Sequence, residues 1–366
     1  MWNTVCSWPG NLWRRWVRLK ERLLNIYHAF GLPRLIIGLF LLFLLIVALC
    51  TDLSVPGLLS DSLVRIGQNA IFVLAMVPSI QAGTGLNFGL PAGIVCGMVG
   101  TLIAMELSLL NWGGFVVALA VTVPLAVMVG FLYALLLNRV VGQEMMVGTY
   151  VGFSVVAGMC IFWLLAPFKN PAMIWAIGGS GLRTTLTLSD HFAHVLNHFL
   201  AFEILGVTVP TGLLLFVALV SFFVWLLFQT KTGAAIEVVG RNPRFAVASG
   251  LKLNHYRTLG TIFSTVLAGI GYVVYAQSFG FVQLYVAPLM MAFPAVAAVL
   301  IGGASTEEAK VIHALIGVVL FQTLLTVAMP VTNQVIQGNI SEIARMVVSN
   351  GMILYALTRV AGGDRA

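Results

Sequence analysis

Ten stretches, each close to the roughly 20 apolar residues that a helix needs to cross a bilayer, follow one another along this chain and leave it few ways to fold. They lie at approximately 35–51, 63–81, 86–106, 114–137, 145–165, 210–228, 259–279, 287–303, 311–329 and 342–359. Backbone N–H and C=O groups find no water in hydrocarbon, so each stretch must close its own hydrogen bonds as a helix. The composition agrees: 60% of the residues are hydrophobic and 8% charged, against roughly 25% charged in a soluble domain. The expected fold class is an all-α polytopic membrane protein. It has about ten transmembrane helices, broken helices near its centre and a short cytoplasmic helix between two spans.

The basic residues orient those spans. With the N-terminus on the cytoplasmic side, only Arg65, Lys169, Arg183 and Arg345 of the 19 Lys and Arg fall outside. The positive-inside rule then predicts ten spans with both termini cytoplasmic. The net charge of +7 is mostly this bias. Its carriers sit at span ends and form no continuous face, which excludes a nucleic-acid partner. The first apolar run begins after more than 30 residues and lacks a small-x-small cleavage site, so it is not a cleaved signal. Residues 1–34 mix Trp2, Trp8, Trp13 and Trp16 with leucines and arginines, which predicts a cytoplasmic or interfacial amphipathic segment. A transmembrane domain fills 35–360, and 361–366 form a cytoplasmic tail. Cys6, Cys50, Cys96 and Cys160 are scattered and read as small apolar side chains rather than a metal or disulfide set.

The break at Gly83-Thr84-Gly85-Leu86-Asn87-Phe88-Gly89-Leu90-Pro91 interrupts an otherwise continuous apolar run. Broken backbone at membrane depth must face protein or a watery cavity. The candidate translocation residues are therefore Gly83, Thr84, Gly85, Asn87, Phe88 and Gly89, with Thr84 and Asn87 offering hydrogen bonds to a polar solute. A tight turn at the cytoplasmic surface is the alternative. A faint echo recurs at Gly302-Gly303-Ala304-Ser305, as a same-orientation repeat would give. Asp52, Asp61, Glu106, Glu144, Asp190, Glu203 and Glu342 sit near span ends or in loops. Ion-coupled carriers usually need a charge at mid-span, so a secondary transporter is disfavoured. No G-x-x-x-x-G-K-[ST] occurs, so ATP, if it drives this chain, binds a separate subunit.

Two constellations invite chemistry and carry little. His191, His194 and His198 are spaced three and four apart, which places them on one face of a helix. No fourth ligand is fixed by spacing, so the face reads as solvated rather than metal-binding. Gly178-Gly179-Ser180-Gly181 matches a short serine-nucleophile pattern. Its polar continuation and the lack of a base at membrane depth make it a flexible stretch of the extracytoplasmic loop 166–209. No enzyme activity is expected.

The cytoplasmic loop 229–258 is a polar, basic island. Lys231, Arg241, Arg244, Lys252 and Arg257 face one acid, Glu237. Asn242 can cap a helix, Pro243 suits its first position and Gly250 suits the residue after its last turn. A short capped helix here, about 243–249, is a handle for a partner protein. Lys231-Thr232-Gly233, followed by Gly240-Arg241-Asn242-Pro243-Arg244-Phe245-Ala246-Val247-Ala248-Ser249-Gly250-Leu251, resembles a known signature. It is the Gly-x-Asn-x-x-Ala-Ala-x-x-Ser-Gly-Ile of ATP-binding cassette (ABC) importer permeases of the ribose, galactose and branched-chain amino acid group. Phe245 departs from the first Ala. The Ala297–Gly303 run is also similar, and the resemblance covers most of 35–360.

The resemblance implies a bacterial inner-membrane permease subunit. Its coupling helix docks on an ABC ATPase, which binds the ATP and Mg; this chain holds no cofactor and no metal. Gly240, Arg241, Asn242, Arg244, Ala246, Ser249 and Gly250 become the coupling residues, with Arg241 and Arg244 pairing to acids of the ATPase. A second permease subunit, identical or paralogous, and an extracytoplasmic solute-binding protein complete the assembly. Sugar-type members read Gly-Gly-x-Asp-Leu-Ser-x-Gly at the first break, where this chain has Gly85 in place of the Asp. Amino-acid-type members lack that acid too. Glu307-Glu308 replaces a second glycine pair. The expected solute is a sugar or nucleoside, with branched-chain amino acids as the alternative.

Overall fold

A computed structural model describes residues 32–51, 53–175 and 181–335, with five further positions between 346 and 354. Residues 1–31 of the interfacial segment, Gly178–Ser180, most of the tenth span at 342–359 and the tail 361–366 lie outside the described residues. The described helices are α1 (Leu32–Cys50), α2 (Val55–Gln81), α3 (Leu90–Glu106), α4 (Asn111–Leu137), α5 (Glu144–Leu165), α6 (Val195–His198) and α7 (Thr211–Gln229). They continue with α8 (Lys231–Arg241), α9 (Pro243–Ala248), α10 (Leu253–Phe279), α11 (Ala287–Ile301) and α12 (Val311–Val335). Six of these are long and apolar enough to cross a membrane, and α1, α3 and α11 are shorter apolar helices. The chain is a mostly helical, multi-pass membrane protein.

The helices arrange themselves by polarity. α10 packs along α2, α3 and α4, and α3 also lies against α4. α12 covers α2, and α1 and α11 pack on α12. The most apolar 18-residue window of α2 is 72% buried and that of α10 61%, against 28% in α4 and 17% in α5. The central pair is also the less hydropathic, so the polar side chains of the spans point inward while α4, α5 and α7 present Phe131, Phe153 and Phe222 outward. Lipid tails drive no hydrophobic association between helices, so close packing must hold the centre. Gly93 and Gly97 of α3 provide it: a Cβ there would lie 2.4 Å from the Thr265 carbonyl oxygen and 2.5 Å from that of Gly269, both on α10.

Four three-residue strands, absent from the all-α expectation, sit at the end opposite the basic island. β1 (Thr185–Thr187) pairs antiparallel with β4 (Phe281–Gln283), Leu186 opposite Val282. β2 (Phe202–Ile204) and β3 (Val207–Val209) form a hairpin. This is the hairpin end of the bundle; the end carrying α8 and α9 is the basic end.

Nine of the ten expected spans coincide with described helices, with boundary differences that have causes. α2 begins at Val55 rather than 63, launched by Pro56 in its first turn, where a missing N–H costs nothing. Asp61 is therefore helical, not a loop residue. The island is not a loop either. Thr230 accepts a hydrogen bond from Gly233 N at 3.2 Å and starts α8, whose Ile236 and Val239 are buried. The histidines do not share a helical face. Only His198 lies inside the four-residue α6, while His194 is its left-handed N-cap, φ 57°. Among the described residues no group of three His, Cys, Asp or Glu is placed to hold a metal.

The glycine contact between α3 and α10 predicts a sharp contrast. Gly93→Ala should lower stability by about 1–3 kcal/mol through overpacking. Gly158→Ala, where no atom lies within 4 Å, should stay within about 0.5 kcal/mol of the parent. Thermal unfolding in detergent, followed by size-exclusion fluorescence, reads both; equal melting temperatures for the two variants would remove the contact from the account.

Candidate functional site

The two helix breaks are built alike and meet at the basic end. α2 ends with Gly83 N on the Ile80 carbonyl (3.0 Å) and Thr84 N on that of Ser79 (3.2 Å). α11 ends with Gly303 N on Leu300 (2.9 Å) and Ala304 N on Val299 (3.2 Å). Each is a Schellman cap, with Gly83 at φ 72° and Gly303 at φ 90°, a conformation that glycine alone adopts without strain. The echo read from sequence is thus a shared backbone motif. The Gln81 amide donates to the Ala309 carbonyl, tying the first break to the loop after the second. Arg34 of α1 donates to the Gly302 carbonyl.

α8 is inserted beside this junction. A Cβ on Gly240 would lie 2.1 Å from the Gln81 carbonyl oxygen, and one on Gly83 would lie 2.9 Å from the Gly240 Cα. Backbone therefore rests on backbone. Arg241 pairs with Glu237 and with Glu308, each at 2.9 Å, and Lys310 pairs with Glu308 at 3.1 Å. Arg241 thus meets acids of its own chain. Glu308, in the stretch that departs from the glycine pattern, holds α8 to the loop between α11 and α12. The Lys310 hydrogen bond, aided by the charges of Arg241 and Lys310, holds the Glu308 carboxyl below its ordinary value.

Beyond α8, Asn242 accepts a hydrogen bond from Phe245 N at 3.0 Å and caps α9. Gly250, φ 79°, closes the other end, with Leu251 N on the Ala246 carbonyl at 3.0 Å. Ala246 is fully buried, whereas Phe245 is 57% and Val247 62% exposed. Arg244, Ser249 and Gly250 are exposed as well. The helix stands on Ala246 and turns an apolar pair flanked by Arg244 outward.

The residues of the first break divide into two groups. Gly83, Thr84 and Gly85 line a cleft of about 720 Å³, together with Glu144, Arg241 and Thr306. The side chains expected to meet solute are engaged within the chain. The Thr84 hydroxyl donates to the Ser79 carbonyl at 2.9 Å. Asn87 donates to Ser264 Oγ at 2.7 Å and accepts from the Tyr133 hydroxyl at 3.2 Å. Phe88 packs on Phe293, ring centroids 6.1 Å apart, and Gly89 leaves room for the Tyr133 hydroxyl. At the edge of the cleft Glu144 pairs with Arg257, which is 4% exposed.

A second cleft, of about 500 Å³, opens toward the hairpin end and reaches the middle of the bundle. α2 forms its floor with Asp61, Arg65, Gln68 and Asn69; α10, α11 and α12 contribute Tyr275, Met290 and Gln322 among its walls. Sequence reading missed this cleft because the helix start at 63 left Asp61 outside the span, off the face that carries Arg65, Gln68 and Asn69. The signal was present. Residues 61, 65, 68 and 69 recur at the i, i+4, i+7, i+8 spacing of one helical face, in a span otherwise apolar.

Comparison with known proteins adds the following. A family model described as branched-chain amino acid transport system / permease component matches residues 58–357. A nucleoside ABC transporter permease protein, NupC, of Lactococcus lactis subsp. cremoris is 37% identical over 71 residues, 19% of this chain and 22% of that protein. An uncharacterized protein, MG121, of Mycoplasma genitalium is 27% identical over 158 residues, 42% of this chain and 45% of that protein. The chain thus spans less than half the length of each of these relatives.

The Glu308 contacts predict a pH-dependent clasp. Because the folded carboxyl titrates below its ordinary 4.5, its stabilisation is present above that value and is lost as pH falls through the lowered one. Arg241 and Glu308 are both nearly half exposed, so the pair is worth about 0.2–1 kcal/mol. Glu308→Gln should melt slightly below the parent at neutral pH, and the gap should close below pH 4.5. A gap that persists in acid would assign the effect to packing instead.

Proposed function

The chain belongs to the family of branched-chain amino acid transport system permease components, and on that premise we propose that it is the membrane subunit of an ABC importer. It moves a small polar solute, a sugar or a nucleoside, by alternating access. The observation that carries this reading is α9: a capped helix outside the bilayer, seated on Ala246, that presents Phe245, Val247 and Arg244 to a partner. The partner is an ABC ATPase that binds ATP and Mg. The positive-inside count supports a cytoplasmic side for α9, both termini and the tail. In this reading the apolar run 342–359 is the tenth span and the membrane is a bacterial inner membrane.

Force has a short route inward. Closure of two ATPase subunits pushes α9, and α8 passes the displacement through Gly240 to the two breaks. There the ends of α2 and α11 shift against α10. Gly83, Thr84 and Gly85 form the cytoplasmic mouth of the pathway; Asn87, Phe88 and Gly89 hold the wall behind it. Gly240, Arg241, Asn242, Arg244, Ala246, Ser249 and Gly250 form the coupling element. A second permease copy or paralogue and an extracytoplasmic solute-binding protein complete the importer. The name of the Lactococcus relative supports a nucleoside; the family description supports a branched-chain amino acid as the second reading.

Docking at α9 is testable by co-purification. Proline holds φ near −65°, which is incompatible with 79° at Gly250. Gly250→Pro and deletion of 242–250 should both abolish recovery of the ATPase with the permease while membrane insertion persists. Phe245→Asp, on an exposed site, should weaken recovery by about tenfold or more, a hot-spot loss. Full recovery with all three would end the docking role.

A further inference from the structure

Gln322 lies at the middle of α12, is 5% exposed, and its side chain makes no hydrogen bond among the described residues, yet it faces the cleft at the hairpin end. Buried amides are normally matched, and an amide aimed into accessible space is matched by what enters. Around it the cleft has a graded lining. Asp61 and Arg65 stand exposed at the rim. Gln68, 7% exposed, gives its amide N–H to Ser278 at 3.2 Å, and its oxygen has no partner among the described residues. Asn69 uses one N–H on the Arg65 carbonyl. Gln283 lines the cleft from β4. The deep polar groups are all neutral, and each amide carries both donors and acceptors.

The walls are flat. Tyr275 and Phe279 of α10 lie nearly parallel, 24° apart with centroids 5.5 Å apart. Tyr272 extends the stack behind them at 30°. α11 supplies Met290, Met291 and Pro294 to the same cleft. Thioethers make favourable contacts with aromatic faces, and Pro294 has no N–H to give the Met290 carbonyl. A cleft of about 500 Å³ falls within the range of small-ligand sites, roughly 300–1,000 Å³.

We propose that this cleft is the solute site of the permease and that it takes a neutral solute with a flat heteroaromatic ring, a nucleobase or nucleoside. The proposal rests on the importer reading above. The ring stacks on Tyr275 and Phe279 with the methionines facing it, as bases stack on aromatic side chains elsewhere. Gln322, Gln68 and Gln283 meet the alternating donors and acceptors of its edge. An amino acid fits less well. Past Asp61 and Arg65 its ammonium and carboxylate would find no opposite charge, and unpaired charges are costly to take from water.

The test uses the full-length chain in nanodiscs, with tritiated adenosine and uridine as probes, and the complete importer in proteoliposomes for ATP-dependent uptake. Nucleosides should bind, and unlabelled nucleosides but not leucine or ribose should displace them. Tyr275→Leu and Gln322→Ala should each weaken binding by about tenfold, the scale of one lost stack, while Tyr275→Phe retains it. Membrane abundance and retention of the ATPase check folding. Met290→Trp, at a position 68% exposed, fills the slot without disturbing the core and should abolish binding. Absent nucleoside binding, or binding unchanged in Tyr275→Leu, Gln322→Ala and Met290→Trp alike, overturns the proposal. So does ATP-dependent uptake of leucine or ribose with nucleosides excluded, which leaves the importer reading standing. No ATP-dependent uptake of any solute overturns both.

Discussion

The basic end of the molecule depends on one close approach, that of Gly240 to the backbone of Gln81 and Gly83. With no side chain on either glycine, α8 lies directly on the end of α2. The Schellman cap pairs the Ser79 and Ile80 carbonyls at the end of α2. Arg241, one residue on, reaches Glu308 and brings the loop after α11 into the same junction. The Gln81 amide closes the triangle on Ala309. α8 therefore touches both breaks, one through backbone contact and the other through an ion pair.

The bundle inverts the pattern of a soluble protein. Its least apolar spans, α2 and α10, are its most buried. In a membrane the outer surface faces hydrocarbon, where a polar side chain has no partner. Gln68, Ser264, Gln277 and Gln322 are buried for that reason. Some are consumed by the fold, as Asn87 is by Ser264 and Tyr133. Others line a cleft. The division between the two decides where a polar solute can be held, and it puts Asn87 in the scaffold and Gln322 at the wall.

Much of this was legible in the chain. Apolar runs of membrane-spanning length located nine helices, and the Asn242, Pro243 and Gly250 signals located α9 with both its caps. These are local properties, set by hydrogen-bond closure within a segment. What was not legible depends on neighbours distant in sequence. The spacing of His191, His194 and His198 suggested one helical face, but the chain turns at His194 with φ 57° and its N–H goes to Gln277 of α10. The start of α2 was set too late, because Asp61 was read as lying outside the span when it lines a cleft.

The sequence by itself determined the class of the protein: a bundle of apolar helices, its charge biased to one side, carrying a short capped helix in its basic island. Those features follow from length, hydropathy and capping chemistry, which need no partner segment to act. Only the tertiary structure decided which polar residues are bonded within the bundle and which remain open to a cleft. It also decided that α8 joins the two breaks through Gly240 and Arg241. Residues 83, 240 and 308 are far apart along the chain, and nothing in their local sequence specifies a backbone contact or an ion pair. Those follow from the packing of α2, α8 and α11 around a shared end.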